Sequence, residues 1–512
     1  MGIQPIDFIK KWKAITQTER AVSHSHFIEL CNLLGEKPPT DADHDGSKYC
    51  FERGAAKTTG KKGWADVWKK ECFGWEYKGK HKDLTAAFAQ LQQYAPALEN
   101  PPLLIVCDFD RFRIHTNWTN SISEAHDFTL DDLRDAKIRQ KLKWAWREPE
   151  RLRPGKTRAE LTEEAAVEFA ALAQTLRARG HSPESVAHFV NRLVFCMFAE
   201  DAGLLPERIF KSMLEQAQRH PGEFPFHGSN LFRAMKDGGW IGFDQIDWFN
   251  GGLFDDDAAI PLDGDDIALV RRTANLNWSE IDTSIFGTLF ERGLDPDKGS
   301  QIGAHYTHRD KITLIVDPII SRPLLAEWED AKRAILGFST RSRRNSKEGR
   351  SSAQHTLAEG IYKSFLERLR SFRVLDPACG SGNFLYVALF ALKDIEHRVM
   401  IEAEALGFHR EDHPRIGPHA VLGIEKNLYA AELARVTVWI GEIQWMRRNG
   451  FDVSRNPILK PLDTIECRDA ILNPDGTEAA WPDADVVIGN PPFFGRQKDS
   501  PHLGAELRHL AA

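Results

Sequence analysis

A short glycine-rich segment constrains the fold of this chain more than any other feature. Residues 375–384 read LDPACGSGNF, in which an apolar start leads to the acidic Asp376, and Gly380 and Gly382 precede a new apolar run. The apolar start is typical of a buried parallel strand, and the glycines permit a tight turn with close backbone approach to a ligand. In open α/β sheets, ligands bind beyond the carboxyl ends of the strands. The segment therefore predicts a strand, a ligand-binding turn and a helix within an α/β domain.

The acidic residues around this turn indicate the chemistry of the ligand. The glycine spacing is not the GxGxxG of dinucleotide sites. Asp376 suits a ligand with a positively charged amino acid moiety, as in S-adenosylmethionine. Glu425 ends another apolar run, in VLGIEKN (421–427), where it can accept hydrogen bonds from ribose hydroxyls. Asp469, in IECRDAIL, can accept one from the adenine amino group of the same cofactor.

A second segment, IGNPPF (488–493), completes the apolar run DADVVIG and carries groups suited to bind an aromatic amine. An aromatic amine is a poor nucleophile because its lone pair is delocalised into the ring. The side-chain carbonyl of Asn490 and the backbone carbonyl of Pro491 can accept both amino hydrogens and so localise that lone pair. Pro491 and Pro492 lack backbone donors and fix the local conformation. Phe493 can stack on a base that has swung out of a duplex.

These two segments, in this order, resemble S-adenosylmethionine-dependent methyltransferases that act on exocyclic amino groups of DNA bases. IGAHYTHRDKITLIVDPII (302–320) is similar to the motif that precedes the glycine turn in their gamma arrangement, where Tyr306 and Thr307 would close over the cofactor. Protein-glutamine methyltransferases also carry an NPP-aromatic signature, but this preceding segment is not expected in them. His305 and His308 fit a polar turn at a helix start better than a metal site. The resemblance implies cofactor contacts from Asp376, Ala378, Gly380, Gly382, Asn383, Phe384, Glu425 and Asp469.

The N-terminal region carries an independent pattern of charged residues. Asp66, Glu76 and Lys78 have the Asp-x9-Glu-x-Lys spacing of PD-(D/E)xK nucleases, in which two carboxylates, here Asp66 and Glu76, hold Mg²⁺. The lysine would orient or activate the attacking water. A charged surface produces this spacing by chance, but a predicted helix over 83–94 and the predicted strands PPLLIVCDF and RFRIHTNW give the α/β order of a nuclease core. Glu29, on a preceding helix, is a further candidate acid for the metal.

The whole chain resembles the MmeI-like single-chain restriction–modification enzymes (Type IIL, within Type IIG). ERAVSHSHFIELCNLLGE, VNRLVFCMFAEDAGLLP, SIFGTLFERGLDP and GAHYT are similar to that family's pattern. The resemblance implies an α/β chain with a PD-(D/E)xK nuclease-like domain at 1–150, a helical spacer at 157–300 and a Rossmann-like methyltransferase domain at 301–512. It also implies adenine as the methylated base, which NPPF alone does not decide.

Several local patterns predict how these parts are built. REPERLRPGKTRAE (147–160) is charged, contains two prolines and predicts a linker. Ser182 is a predicted N-cap with Pro183 at the first helical position, and this helix would end near Gly203. The basic, serine-rich stretch 339–353 predicts an exposed loop.

Composition narrows the class further. The 512 residues exceed what one core usually serves, and there is neither a membrane-spanning apolar run nor a signal-peptide h-region, so we expect a cytoplasmic enzyme of two or three domains. Seven cysteines without CxxC pairs argue against zinc and disulfide frameworks. The net charge of −7 does not exclude double-stranded DNA as the partner, because local clusters matter more than the total. Such clusters occur at Lys61–Lys62, Lys69–Lys70 and Lys78–Lys82.

The end of the sequence departs from the family pattern. Only residues 494–512 follow NPPF, where the family would continue with further methyltransferase strands and a target-recognition domain. We therefore expect an incomplete methyltransferase domain. It would belong either to a truncated or frame-shifted gene product or to the N-terminal part of a split enzyme, in which a separate polypeptide supplies the missing strands and the target-recognition domain. Two alternatives stay open: a methyltransferase-only component of phage defence, and an inactive remnant or assembly subunit.

Overall fold

A computed structural model describes most of the chain. The described residues are 3–54, 64–249, 252–285, 287, 309–344, 348–451 and 462–491. Several residues singled out above lie outside these ranges, namely Lys61, Lys62, His305, Tyr306, Thr307, His308, Pro492 and Phe493. Within the described ranges, no helix combines the length and the apolar character needed to cross a bilayer.

The N-terminal part is a six-stranded sheet with helices on both faces. Its strands, in the order β1 to β6 across the sheet, are Tyr49–Arg53, Ala65–Lys69, Phe73–Tyr77, Leu103–Cys107, Arg111–Thr116 and Ala125–Thr129. Its helices α1 to α5 are Pro5–Ala14, Glu19–Leu34, Pro39–Ala42, Leu84–Tyr94 and Ala136–Arg147. Only β3 and β4 are parallel, because α4 forms the crossover between them.

Burial explains why these segments form a sheet centre. Every residue of β3 and β4 is buried, as expected for strands covered on both faces. Trp75 packs with Phe27 of α2 on one face, and Leu104 packs with Leu91 of α4 on the other. The Asp83 side chain caps α4 by accepting from the Thr85 amide at 2.8 Å. The predicted helix over 83–94 and both predicted strands after it are confirmed.

The middle part is mainly helical. Helices α6 to α10 are Arg158–Ala178, Pro183–Asp201, Ile209–Arg219, Phe224–Asp237 and Gly264–Thr273, and a hairpin pairs β7 (Gly239–Ile241) with β8 (Asp244–Ile246). The predicted cap at Ser182 is confirmed, since its hydroxyl accepts from the Ser185 amide at 3.2 Å. The predicted linker is wrong over its last residues. Thr157 and Glu160 form a capping box, which starts α6 inside that segment.

The C-terminal part contains a parallel sheet. Helices α11 to α15 are Arg309–Val316, Arg322–Arg344, Glu348–Ser371, Asn383–Ala405 and Leu428–Arg448, with a π-helical turn at Asp317–Ser321. Strands β9 to β12 are Val374–Asp376, Val421–Glu425, Ile465–Cys467 and Val486–Val487, arranged in the order β11-β10-β9-β12. The strands β9 and β10 each lead into a helix, so this region has the expected α/β character.

The predicted exposed loop at 339–353 is wrong. Helix α12 continues to Arg344 and α13 begins at Glu348, so that only 345–347 fall outside the described residues. The two helices pack on each other further along their length, where the Trp328 and Phe365 rings lie 5.3 Å apart. This packing favours extension of both helices, because tertiary contacts outweigh the modest helix propensity of serine.

Candidate functional site

The glycine turn follows β9 as predicted and depends on its two glycines. Gly380 and Gly382 have positive φ angles of 52° and 86°, a region in which side-chain-bearing residues are strained. A Cβ at Gly382 would lie 3.0 Å from the Cα of Ala434 on α15. The Cys379 amide donates to the Ile424 carbonyl of β10 at 3.1 Å. The turn is therefore fixed between two strands and one helix.

Glu425, at the end of β10, holds this turn directly. Its Oε2 accepts from the Gly380 amide at 2.9 Å, and its Oε1 accepts from the Asn427 amide at 2.8 Å. A carboxylate oxygen has more than one acceptor position. Glu425 can therefore order the turn and still accept a hydrogen bond from a ligand hydroxyl.

Asp376 is a fully buried acid at the base of the same turn. Its Oδ1 accepts from the Ala378 amide at 3.0 Å. Burial raises the pKa of Asp376 to about 7; the Ala378 amide opposes this shift, and nearby Glu425 adds to it. A positively charged ligand would favour the ionised carboxylate and lower this pKa. The electrostatics therefore fit a cationic ligand, as expected for the amino acid moiety of S-adenosylmethionine.

The strand β12 brings the second motif to this acid. The Ile488 amide donates to the Leu375 carbonyl at 2.8 Å. A Cβ at Gly489 would lie 2.4 Å from Oδ1 of Asp376, so only glycine fits without a shift. Because β12 and β10 flank β9 on opposite sides, this is the point where the strand order reverses, which is where open α/β sheets bind ligands. Asn490 and Pro491 leave β12 at this edge, both exposed.

Asp469 lies beyond β11, the neighbour of β10. Its Oδ1 accepts from the amides of Ile471 and Leu472 at 2.8 and 3.2 Å, and its Oδ2 accepts from Lys426 Nζ at 2.9 Å. The Ile471 amide and the Lys426 ammonium hold the pKa of Asp469 below its usual range. All three predicted acids thus follow adjacent parallel strands. Lys426, a partner that sequence reasoning missed, neutralises the outermost one.

The two remaining predicted residues of the turn, Asn383 and Phe384, differ in whether they can contact a ligand. The Oδ1 atom of Asn383 is buried without a hydrogen-bond partner in the described structure, and so remains available to a ligand. Phe384 is 5% exposed and belongs to the hydrophobic core beneath the turn. Gly287 was missed: a Cβ there would lie 2.4 Å from Ser381 Oγ, so the middle part of the chain contacts the turn. Its segment, SIFGTLFERGLDP, was noticed in the sequence, but its partner was not.

The structure also brings together the three charged residues of the N-terminal pattern. The β2–β3 register pairs Val67 with Trp75, and its continuation sets Asp66 opposite Glu76. Asp66 Oδ2 accepts from the backbone amide of the next residue, Tyr77, at 2.7 Å. Lys78 Nζ donates to Glu76 Oε1 at 2.8 Å, and Glu76 is 2% exposed. The result is a pair of neighbouring carboxylates with a lysine held on one of them.

Two further residues clarify this cluster. Gln90 of α4 was missed by sequence reasoning; its Oε1 accepts from Lys78 Nζ at 3.0 Å. Glu29 does not join the pair but binds the side chains of Lys11 and Trp12. In the described part of the chain, no group of three or more His, Cys, Asp or Glu residues is arranged to hold a metal. Two carboxylates nonetheless suit Mg²⁺, which keeps several waters and takes one or two carboxylates from a protein.

The basic residues near this cluster have partners within the protein. Lys69 Nζ donates to the Trp146 carbonyl at 2.5 Å, and Lys70 pairs with Glu99 at 2.9 Å. Lys80 Nζ donates to the Trp12 carbonyl at 2.8 Å. These three ammonium groups are therefore already bound to acceptors within the N-terminal part of the chain.

Comparison with known families identifies the three parts. The chain matches three domains described for MmeI: its N-terminal domain over residues 3–179, its helicase spacer domain over 184–254 and its DNA-methyltransferase domain over 348–512. These matches follow one another in the order of a single protein.

Curated relatives agree with this identification. The chain is 25% identical over 460 residues to DNA methyltransferase A of Bacillus subtilis, covering 85% of the chain and 47% of the relative. It is 24% identical over 298 residues to a protein of Methanocaldococcus jannaschii named as a type II restriction enzyme and methyltransferase, covering 50% of the chain and 24% of the relative. The chain thus spans less than half the length of both.

A solved structure shares the fold. The Type IIL restriction–modification enzyme MmeI, determined in complex with DNA, aligns with a TM-score of 0.54 and 24% identity. The alignment covers 68% of this chain and 45% of that protein.

Proposed function

Because the chain belongs to the MmeI-like family and contains its DNA-methyltransferase domain, we propose that it methylates the N6 amino group of adenine at a specific site in double-stranded DNA. The observation that carries this proposal is the meeting of two motifs at one sheet edge. Gly489, which precedes the catalytic Asn490, lies against Asp376, the acid of the cofactor turn. Methyl donor and target amine would therefore meet at the strand reversal.

The cofactor side of the site fits S-adenosylmethionine, which when bound supplies the electrophilic methyl group. Asp376 would hold its positive amino group, because the buried carboxylate has a raised pKa that a cation would lower. Glu425 would accept from the ribose hydroxyls with the lone pairs that the turn leaves unused. Asp469, with Lys426 beside it, would accept from the adenine amine.

The target side would act by orienting the amine. The Asn490 side-chain oxygen and the Pro491 carbonyl would accept its two hydrogens, which directs the nitrogen lone pair towards the methyl group. Both residues are exposed at the sheet edge, as a site for a flipped base requires. Phe493 would stack on that base, and Tyr306 and Thr307 would cover the cofactor.

The Asn490→Ala variant tests this assignment. We expect S-adenosylmethionine binding within about twofold of the native value, and methyl transfer to DNA reduced by more than about a hundredfold. Calorimetry measures the first quantity, and transfer of labelled methyl groups measures the second. Analysis of the product nucleosides then identifies the base. Methylcytosine as the product would refute adenine specificity, and native transfer rates in the variant would refute the role of Asn490.

We also propose that the N-terminal part is a Mg²⁺-dependent endonuclease. Asp66 and Glu76 would hold the metal, which when bound polarises the phosphate. Lys78 would orient the attacking water from its position on Glu76. The support is that Asp66 of β2 lies opposite Glu76 of β3, and that Lys78, directly after β3, donates to Glu76.

The Glu76→Gln variant tests the nuclease. We expect plasmid cleavage in Mg²⁺ to fall by more than about a hundredfold, since a metal ligand is lost, while methyl transfer stays unchanged. Asp127→Asn is the matched control, because Asp127 is an exposed acid on β6 that pairs with Arg113. Equal cleavage by the native and Glu76→Gln chains would leave a methyltransferase whose N-terminal part has no nuclease role. A chain that neither binds S-adenosylmethionine nor cleaves DNA would support an assembly subunit.

We propose domain boundaries near residues 150 and 300. Helix α5 ends at Arg147 and α6 begins at Arg158, and the segment between these two helices supports the first boundary. The second part is less independent. Its core includes Leu433, Val436 and Ile440 of α15, a helix that follows β10 of the methyltransferase sheet. Limited proteolysis between α5 and α6 should therefore release the N-terminal sheet before it separates the other two parts.

A further inference from the structure

Helix α4 contacts both proposed active units. Near its middle, Gln90 Oε1 accepts from Lys78 Nζ at 3.0 Å. The same ammonium donates to Glu76 at 2.8 Å. Gln90 thus shares the lysine with the buried carboxylate and limits where that lysine can lie.

The last turn of α4 is bound to the methyltransferase domain. Gln92 Nε2 donates to the Arg448 carbonyl at 3.1 Å, and Gln93 Nε2 donates to the Gly450 carbonyl at 2.8 Å. The Gln93 carbonyl accepts from His397 Nε2 at 2.7 Å. We call these contacts the α4 dock. Its full set of residues is Ala89, Gln92, Gln93 and Tyr94 with His397, Glu404, Arg410, Arg448 and Gly450.

The dock is a close and buried contact. A Cβ at Gly450 would lie 2.1 Å from the Ala89 carbonyl oxygen, so the two backbones meet where only glycine fits. His397 is 1% exposed. Burial and nearby Arg410 lower the pKa of His397 to about 4, so its imidazole is neutral at pH 7 and donates one Nε2–H. The Arg410 guanidinium lies 4.6 Å from the centre of the Tyr94 ring.

Gln90 and Gln93 are less than one helical turn apart, about 4.5 Å along the axis. The dock therefore fixes the backbone that carries Gln90. The Asp83 side chain caps the start of α4, and the buried Leu84, Ala87 and Leu91 pack on the N-terminal sheet. The helix would therefore persist without the dock. Its last turn would then be free to shift.

We propose that the methyltransferase domain positions the nuclease lysine through α4, with Gln90 and Gln93 as positioning residues. This inference rests on the proposed nuclease function. A displacement of about 1 Å at a catalytic group can reduce a rate by about a hundredfold. The dock would thus make cleavage depend on a correctly packed methyltransferase domain.

A double-mutant cycle on the full chain tests the coupling, with single-turnover plasmid cleavage in Mg²⁺ as the readout. We expect Gln90→Ala and Gln93→Ala each to slow cleavage by about tenfold, and the double variant to be no slower than Gln90→Ala alone. Gln90→Glu keeps an oxygen acceptor for Lys78 and should recover most of the rate. Gln140→Ala, at an exposed glutamine of α5, is the matched control and should cleave normally.

Three outcomes would overturn the proposal: native cleavage by Gln93→Ala, multiplied losses in the double variant, or faster cleavage when the dock is broken. If Glu76→Gln also cleaves normally, the nuclease assignment itself has failed. In that case, amide hydrogen exchange tests whether the α4 dock restrains the helix. Gln93→Ala and Gly450→Ala should speed exchange over residues 77–94 and leave β5 and β6 unchanged. Unchanged exchange over 77–94 would refute the dock.

Discussion

The two candidate sites balance their buried acids in different ways. In the N-terminal sheet, Glu76 carries a lysine at 2.8 Å, so that its charge is compensated within the protein. In the parallel sheet, Asp376 is buried beside Glu425, and its pKa is raised to about 7. In the first site, the buried acid is therefore already paired with a cation of the protein itself. In the second site, burial and nearby Glu425 make ionisation of Asp376 unfavourable, and a cationic ligand would offset this cost.

The sheets explain this difference. An antiparallel pair of strands sets two side chains directly opposite each other, which places Asp66 next to Glu76. Parallel strands instead bring their carboxyl ends to one edge, where backbone amides of the following turns bind the acids. The comparison therefore predicts that a charge substitution in one site leaves the activity of the other site unchanged. The exception is a substitution that disturbs α4, because this helix contacts both domains.

The largest effect should come from Lys78→Met. Loss of the lysine leaves Glu76 buried without its cation, which should destabilise the N-terminal sheet by about 3 kcal/mol and abolish cleavage. The double variant Glu76→Gln, Lys78→Met should recover stability but not cleavage, because no unpaired charge remains. Thermal unfolding and plasmid cleavage measure the two quantities. Weaker S-adenosylmethionine binding in Lys78→Met would show that the sites are not electrostatically separate.

A smaller effect is expected for Gly489→Ala in the parallel sheet. Its Cβ would lie 2.4 Å from Asp376 Oδ1, so either the strand or the carboxylate must move. We expect affinity for S-adenosylmethionine to fall by about tenfold or more, with cleavage unchanged. Gly360→Ala is the control. Gly360 lies on α13, where a Cβ would meet no atom within 4 Å and alanine favours the helix. Native affinity in Gly489→Ala would contradict a role for the contact between Gly489 and Asp376 in binding the cofactor.

The smallest effect is a pH dependence of the second site. Because Asp376 ionises near pH 7, affinity for the cationic cofactor should rise between pH 6 and pH 8, by at most about tenfold per unit. The folded pKa lies above the ordinary value of 3.8, so this group's contribution to stability is greatest at low pH and is lost as pH rises through 7. Calorimetric titrations of native and Asp376→Asn chains measure the affinity. If the affinity of Asp376→Asn still rises with pH, the pH dependence belongs to another titrating group.

Local patterns in the sequence were sufficient for many elements. The Asp83 cap and apolar spacing predicted α4, and Ser182 with Pro183 predicted the start of α7. The stretch 339–353 was mispredicted because serine and basic residues suit both loops and exposed helix faces. Packing between α12 and α13 decides between these, and it depends on residues distant in sequence, such as Trp328 and Phe365.

The sequence by itself predicted a methyltransferase domain, because the glycine turn and the Asn-Pro-Pro segment are each contiguous motifs with local geometry. The tertiary structure alone decided which residues meet. Gly489 lies against Asp376 because β12 pairs with β9, and Gln90 reaches Lys78 because α4 crosses beside β3. The contact of α4 with Gly450 joins residues more than 350 positions apart. Such contacts arise from chain topology and packing, which no local pattern encodes.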